Sequence, residues 1–167
     1  MEALINGITL WLALTSGLPS APEYPQIRHL PAEQFARIVP GAVVANGGEH
    51  TLLGLYDAHT KTIVLRDDWD SRNPSRCFGL VHELVHYLQD RASLSYECAG
   101  QREALAYDAQ QRWLKLFGLD LQSAFQLDPL TLKVRTHAFP TKRPVAGSKM
   151  LARTTAPLGK MKGRRDD

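Results

Sequence analysis

The chain has 167 residues, of which 44% are hydrophobic and 22% charged, with a formal net charge of +3. These values describe one ordinary globular domain long enough to bury a core. They exclude a disulfide scaffold, since there are only two cysteines, and a bilayer span, since no apolar run approaches ~18–20 residues.

Leu4, Ile8, Trp11 and Leu12 fall at i, i+4, i+7 and i+8, which predicts an amphipathic N-terminal helix. The same stretch raises an export signal as the alternative. Glu2, the lack of Lys or Arg before the apolar run, and Pro19 and Pro22 at any cleavage site argue for a cytoplasmic location instead. Gly17 to Pro25 reads as a proline-punctuated connection, and Pro31 to about Val39 as a short helix stopped by Pro40-Gly41. Apolar Ala42–Ala45, the turn Asn46-Gly47-Gly48, Thr51–Tyr56, the loop Asp57-Ala58-His59-Thr60 and Thr62–Leu65 predict two or three antiparallel strands. His59 is read as a turn residue and Trp69 as a core anchor.

Asn73 is a potential N-cap and Pro74 a first helical residue for a helix running to Asp90. Val81, Leu84, Val85 and Leu88 form its core stripe, and Gly79 leaves room for close approach of another backbone or a substrate. A second helix is expected from Ala99 to Phe117, with Trp113, Leu114 and Phe117 in the core and Gly118 as its stop. One or two short helical pieces follow up to Thr136, restarting at Asp128-Pro129. Residues 1–136 are thus one domain and residues 137–167 a basic, disordered tail. Residues 133–167 carry ten Lys/Arg against two Asp, so the body is mildly acidic. Without interleaved aromatics the tail argues against nucleic-acid binding.

The chemistry sits in His82-Glu83-Leu84-Val85-His86, an HExxH motif. On a helix, His82 and His86 share one face and both imidazoles reach a single Zn²⁺. Glu83 stands where its carboxylate takes a proton from a water made acidic by that ion. Catalytic zinc needs a third protein ligand and one open position. Glu103, in Glu103-Ala104-Leu105-Ala106-Tyr107, follows His86 by enough chain for a loop and an antiparallel return. Ala104 and Ala106 keep that helix thin, and Tyr107, one turn beyond Glu103, shares its face.

HExxH followed by a helix bearing Glu-Ala-x-Ala-Tyr resembles the gluzincin zinc metallopeptidases, in particular their minimal bacterial and archaeal domains. The resemblance spans about Leu53 to Phe117. It implies an α+β, zincin-like fold: a short antiparallel sheet or hairpin, the active-site HExxH helix and a glutamate-bearing helix. It also implies zinc bound by His82, His86 and Glu103, with Glu83 as general base cleaving peptide or protein substrates. A tyrosine or histidine outside the zinc ligands steadies the oxyanion in several gluzincins, and Tyr96, Tyr107 and His137 are the candidates here. The chain lacks the long C-terminal domain of larger gluzincins.

Asp90 and Asp108 are possible partners for the ligand histidines. An extended substrate would add as a strand to the hairpin edge around Thr51–Leu65. Cys77 and Cys98 are two semi-buried thiols or, alternatively, one disulfide. The rival function is a zinc-bound regulatory or binding module with little turnover, which a fourth protein ligand such as Cys98 or His137 would favour.

Overall fold

The protein is described by a computed structural model for residues 1–20, 23–38, 54–125 and 129–136. In chain order the elements are α1 (Glu2–Ser16), β1 (Gln26–Leu30), α2 (Ala32–Ile38), β2 (Gly54–Asp57), β3 (Thr62–Arg66), α3 (Pro74–Arg91), α4 (Ala99–Lys115), α5 (Leu121–Phe125) and α6 (Pro129–Thr136). The expected strand at Ala42–Ala45, the Asn46-Gly47-Gly48 turn, the Pro40-Gly41 stop and the 137–167 tail, His137 included, lie outside the described residues.

The architecture is α+β, built on a three-stranded sheet in the order β1-β3-β2. β2 and β3 form the expected antiparallel hairpin, with Tyr56 opposite Ile63 and Gly54 opposite Leu65. The sheet is nevertheless mixed, because β1 pairs parallel to β3 from Gln26↔Thr62 to Leu30↔Arg66. This strand was not anticipated. Its five residues, Gln-Ile-Arg-His-Leu, are mostly exposed and show no alternation of period two, so only pairing to β3 reveals it.

β3 is the buried centre, and its pleat divides the core. Ile63 and Leu65 face α3, while Val64 packs with Phe35 of α2 on the opposite side. On the α3 side, Leu80, Val81, Leu84, Val85 and Leu88 are fully buried together with Ile8 and Leu12 of α1. Burying one such side chain contributes about 1.5–3 kcal/mol, against about 1 kcal/mol for a typical hydrogen bond. The apolar packing therefore sets where α3 lies, and the polar groups on it are held by that scaffold. α1 joins this core by Ile5, Ile8 and Leu12, in agreement with an amphipathic helix, and no described helix is long and apolar enough to cross a membrane.

α3 opens at Pro74, whose missing N–H costs nothing at a first helical position, while the Asn73 carbonyl accepts from the N–H groups of Arg76 and Cys77. α4 ends at Lys115, two residues before the expected Phe117, and the chain turns at Gly118 with φ 72°. Consequently Leu114 is buried and Trp113 partly so, but Phe117 projects from the turn, 48% exposed, rather than into the core. The alanines facing α3 also differ from expectation. Ala106 and Ala109 are fully buried, whereas Ala104 is exposed, because the helical period carries it to the far side. Trp69 is the buried anchor expected of it, its indole N–H donating to the Arg76 carbonyl.

Gly54 brings the sheet against α3. A Cβ built there would stand 3.1 Å from Glu83 Cγ, 3.2 Å from Leu65 Cδ2 and 3.7 Å from the Gly79 carbonyl oxygen. Gly54→Ala should overpack this contact and lower stability by about 1–3 kcal/mol, read from the urea midpoint. Both cysteines are free. Cys77 is buried, its thiol donating to the Ser71 carbonyl, and burial pushes its pKa up to about 11. Thiol titration of the native protein should therefore find half-buried Cys98 reacting well ahead of Cys77, with both reactive in denaturant; an absence of free thiol would mean a disulfide.

Candidate metal centre

His82 and His86 stand one turn apart on α3, their rings edge to face with centroids 4.6 Å apart. Their Nε2 atoms approach to 3.0 Å. Glu103 reaches them from α4, with Oε2 3.1 Å from His82 Nε2 and Oε1 3.3 Å from His86 Nε2. The three residues form a group that could hold a metal ion, with ligand atoms all within 4.8 Å of one another. No fourth His, Cys, Asp or Glu joins this group among the described residues, Cys98 included. The Glu103 side chain is one-third exposed, so the cluster keeps a face toward solvent.

The charges in the group are strongly coupled. Burial alone would raise the Glu103 pKa, but hydrogen bonds from His82 and His86, and then their charges, hold it well below the usual carboxylate range. Burial would lower His82, yet the hydrogen bond to Glu103, the charges of Glu83 and Glu103 and the contact with Gln110 together raise it.

Glu83 follows His82 in sequence but turns about 100° around the helix, away from α4 and toward the sheet. It is buried, and its Oε2 accepts a 2.8 Å hydrogen bond from the backbone N–H of Tyr56 on β2. Gly54, two residues earlier on the same face, leaves room for the Glu83 side chain.

Tyr107 packs its ring against His82, with centroids 5.2 Å apart, and its hydroxyl accepts from Arg135 Nη1 of α6 at 2.9 Å. Tyr96 lies in the loop after α3. Its hydroxyl is buried without a hydrogen-bond partner among the described residues, and burial raises its pKa. His59 lies in the hairpin turn, where its N–H donates to Asp57 Oδ1.

Neither aspartate suggested as a partner of the histidines takes that role. Asp90 accepts from the Tyr56 hydroxyl at 2.7 Å and from Lys61 Nζ, pinning the hairpin to α3. Asp108 pairs with Arg112 one turn along α4. Two buried glutamines stand there instead. Gln110 Oε1 lies 3.0 Å from His82 Nδ1, and Gln89 Oε1 lies 2.9 Å from His86 Nδ1. Sequence reasoning passed over both, although the signal was present. His82, His86 and Gln89 are spaced i, i+4, i+7, and Glu103, Tyr107 and Gln110 repeat that spacing on the facing helix.

No curated protein and no solved structure matches the chain significantly. A family model described as "Domain of unknown function (DUF6647)" matches residues 1–135, most of the chain, and the chain belongs to that family.

Proposed function

We propose that this chain is a zinc-dependent hydrolase: a small metallopeptidase of the gluzincin type, zincin-like in fold, with His82, His86 and Glu103 as metal ligands and Glu83 as general base. The observation that carries the proposal is the convergence of Glu103, from a different helix, on the two imidazoles of the HExxH motif. Tetrahedral zinc with bonds of ~2.0–2.1 Å needs donor atoms roughly 3.3 Å apart. The two Nε2 atoms are 3.0 Å apart, and one Glu103 oxygen lies 3.1 Å from His82 Nε2 and the other 3.3 Å from His86 Nε2, each close to that spacing. Two imidazoles and one carboxylate also make a donor set of the catalytic kind, which leaves one position for reactants.

When bound, zinc would supply Lewis acidity toward a carbonyl oxygen and bring the pKa of a water toward neutrality. Glu83 then accepts the proton of the attacking water and returns it to the leaving nitrogen as the C–N bond breaks. Its Oε2 is committed to the Tyr56 N–H, which fixes the carboxylate rotamer and leaves Oε1 for the proton. Of the two tyrosines, Tyr107 is better placed to steady an oxyanion, because its ring lies against His82. Arg135 donates to the Tyr107 oxygen, so the phenolic proton remains available for a substrate oxygen. Tyr96 fits that role less well, its hydroxyl being enclosed.

Peptide or protein substrates belong to this reading, but simple strand addition to the β2 edge meets an obstacle. The Tyr56 N–H, which an incoming strand would use, is already taken by Glu83. A cytoplasmic location and the absence of a nucleic-acid partner belong to the same reading. The rival reading, a zinc-bound binding module with little turnover, would be favoured by a fourth protein donor, and the described residues offer none within the group.

Protein purified without a histidine tag should contain about one zinc per chain. Chelation should lower its melting temperature and added zinc restore it; saturation at 100 times Kd corresponds to about 2.7 kcal/mol. Glu83→Gln should keep the zinc, since the amide oxygen can still accept from Tyr56, but abolish cleavage of a mixed peptide library. Undiminished cleavage by that variant would remove Glu83 from the mechanism.

A further inference from the structure

We infer that Gln89 and Gln110 are the positioning residues of the metal centre, a reciprocal pair that fixes which nitrogen of each histidine faces the ion and the register of the two helices. The inference rests on the metal reading above and deepens it.

Both glutamines are almost wholly buried, at 1% and 2% exposure, and both use the two ends of the amide for different tasks. Gln89 on α3 donates from Nε2 to the Arg102 carbonyl of α4 at 3.0 Å, while Oε1 meets His86 Nδ1. Gln110 on α4 donates from Nε2 to the Phe78 carbonyl of α3 at 3.0 Å, while Oε1 meets His82 Nδ1.

Each chain of contacts has only one consistent assignment of donors and acceptors. A backbone carbonyl can only accept, so the amide end that faces it must be the NH₂ group. The other end is then a carbonyl oxygen, which also only accepts, so Nδ1 of the facing imidazole must carry a proton. Once Nε2 gives up the proton it shares with Glu103, the neutral imidazole has its Nε2 lone pair on the side of the cluster, the form a metal ligand requires. Flipping either amide would set oxygen against oxygen, and for a neutral imidazole of the ligand tautomer would also oppose two N–H donors.

The two glutamines work in opposite directions. One reaches from α3 to α4, the other from α4 to α3, and in antiparallel packing they bracket the ligand cluster from both sides. The Arg102 carbonyl belongs to the residue immediately before Glu103, so Gln89 ties the position of the third ligand to the tautomer of His86. A carboxylate could serve the histidine but could not donate to the backbone carbonyl. The amide is the side chain that does both.

The test is zinc affinity, measured by competition with a chromophoric chelator, for the wild type and for Gln89→Leu, Gln110→Leu, Gln89→Glu and Gln110→Glu. It is paired with ¹⁵N NMR of the histidine rings in the zinc-loaded wild type. The Leu variants should lose about 10–100-fold in affinity. The Glu variants, which keep the acceptor for Nδ1–H, should bind at least as tightly as the wild type while melting at lower temperature for want of the cross-helix bond. The rings of His82 and His86 should show slowly exchanging Nδ1 protons, with zinc on Nε2.

Equal affinity in the Leu variants, equal losses in the Leu and Glu variants, or zinc found on Nδ1 would each overturn the inference while leaving the metal site intact. A wild type that takes up no zinc would instead sink the metal reading, and this inference with it. Should the Leu variants fail to fold, the ring spectra of the wild type and the Glu variants still decide.

Discussion

The close antiparallel packing of α3 on α4 is the constraint on which the candidate site depends, because the ligand group is split between the two helices. Glu103 can touch both imidazoles only if the backbones approach closely, and Ala106 and Ala109 allow this by presenting nothing larger than a methyl group to α3. The leucines and valines of α3 provide most of the driving force. The glutamine bridges and the Glu103 contacts are individually worth about a side chain's hydrogen bond, too little to hold the helices together but enough to set their register once packed. A large side chain at Ala106 or Ala109 would therefore act on the site without touching a ligand, through the separation of the helices.

The HExxH helix serves two neighbours at once, and helical periodicity explains how. His82 and His86 turn toward α4, while Glu83, one residue on, turns toward the sheet. Its carboxylate would be poorly placed in an apolar interior, but the Tyr56 N–H of β2 satisfies it. Gly54 makes that geometry possible by bringing the strand in close, and the contacts of Tyr56 and Lys61 with Asp90 hold the hairpin two turns further along α3. Burial, followed by the hydrogen bond and charge of Asp90, keeps the Tyr56 phenol above its ordinary pKa, so this pin stays protonated across the physiological range. The proposed base is thus oriented by the sheet and the proposed ligands by the helix pair.

The features legible in the sequence were those carried by local pattern. The HExxH spacing, the Pro74 start of α3, the Gly118 turn, the β2–β3 hairpin and the placement of Glu103 on the following helix each follow from residues close together in the chain. What escaped was set by tertiary contact. β1 carries no alternation and exists through its pairing to β3. Phe117 sits where α4 has already ended, and Ala104 and Ala109 exchange roles because facing sides depend on the phase of the helix against its neighbour. Asp90 and Asp108 were natural guesses for partners of a histidine, since carboxylates often serve there, but each finds a cation nearer its own side of the molecule. Glutamine carries so little chemical signal that its role emerges only from the two backbone carbonyls it meets.

The electrostatics of the ligand group bear on why such a cluster would exist at all. Two imidazole nitrogens and the two oxygens of one carboxylate stand about as close as van der Waals radii permit. Burial opposes the charged form of both groups, yet the hydrogen bonds and charges between His82 and Glu103 contribute to raising the one pKa and lowering the other, so a positive charge between imidazole and carboxylate relieves the crowding. A proton can do this for only one pair of atoms at a time. A divalent cation would do it for all three residues, while the neutral glutamines add no further negative charge behind the imidazoles. Packing alone gives no reason to gather two imidazoles and a carboxylate within a mostly apolar helix interface, where leucine would be more stable. Convergence that costs stability and is enforced by two separately satisfied amides is expected of a site shaped by its chemistry rather than by the fold.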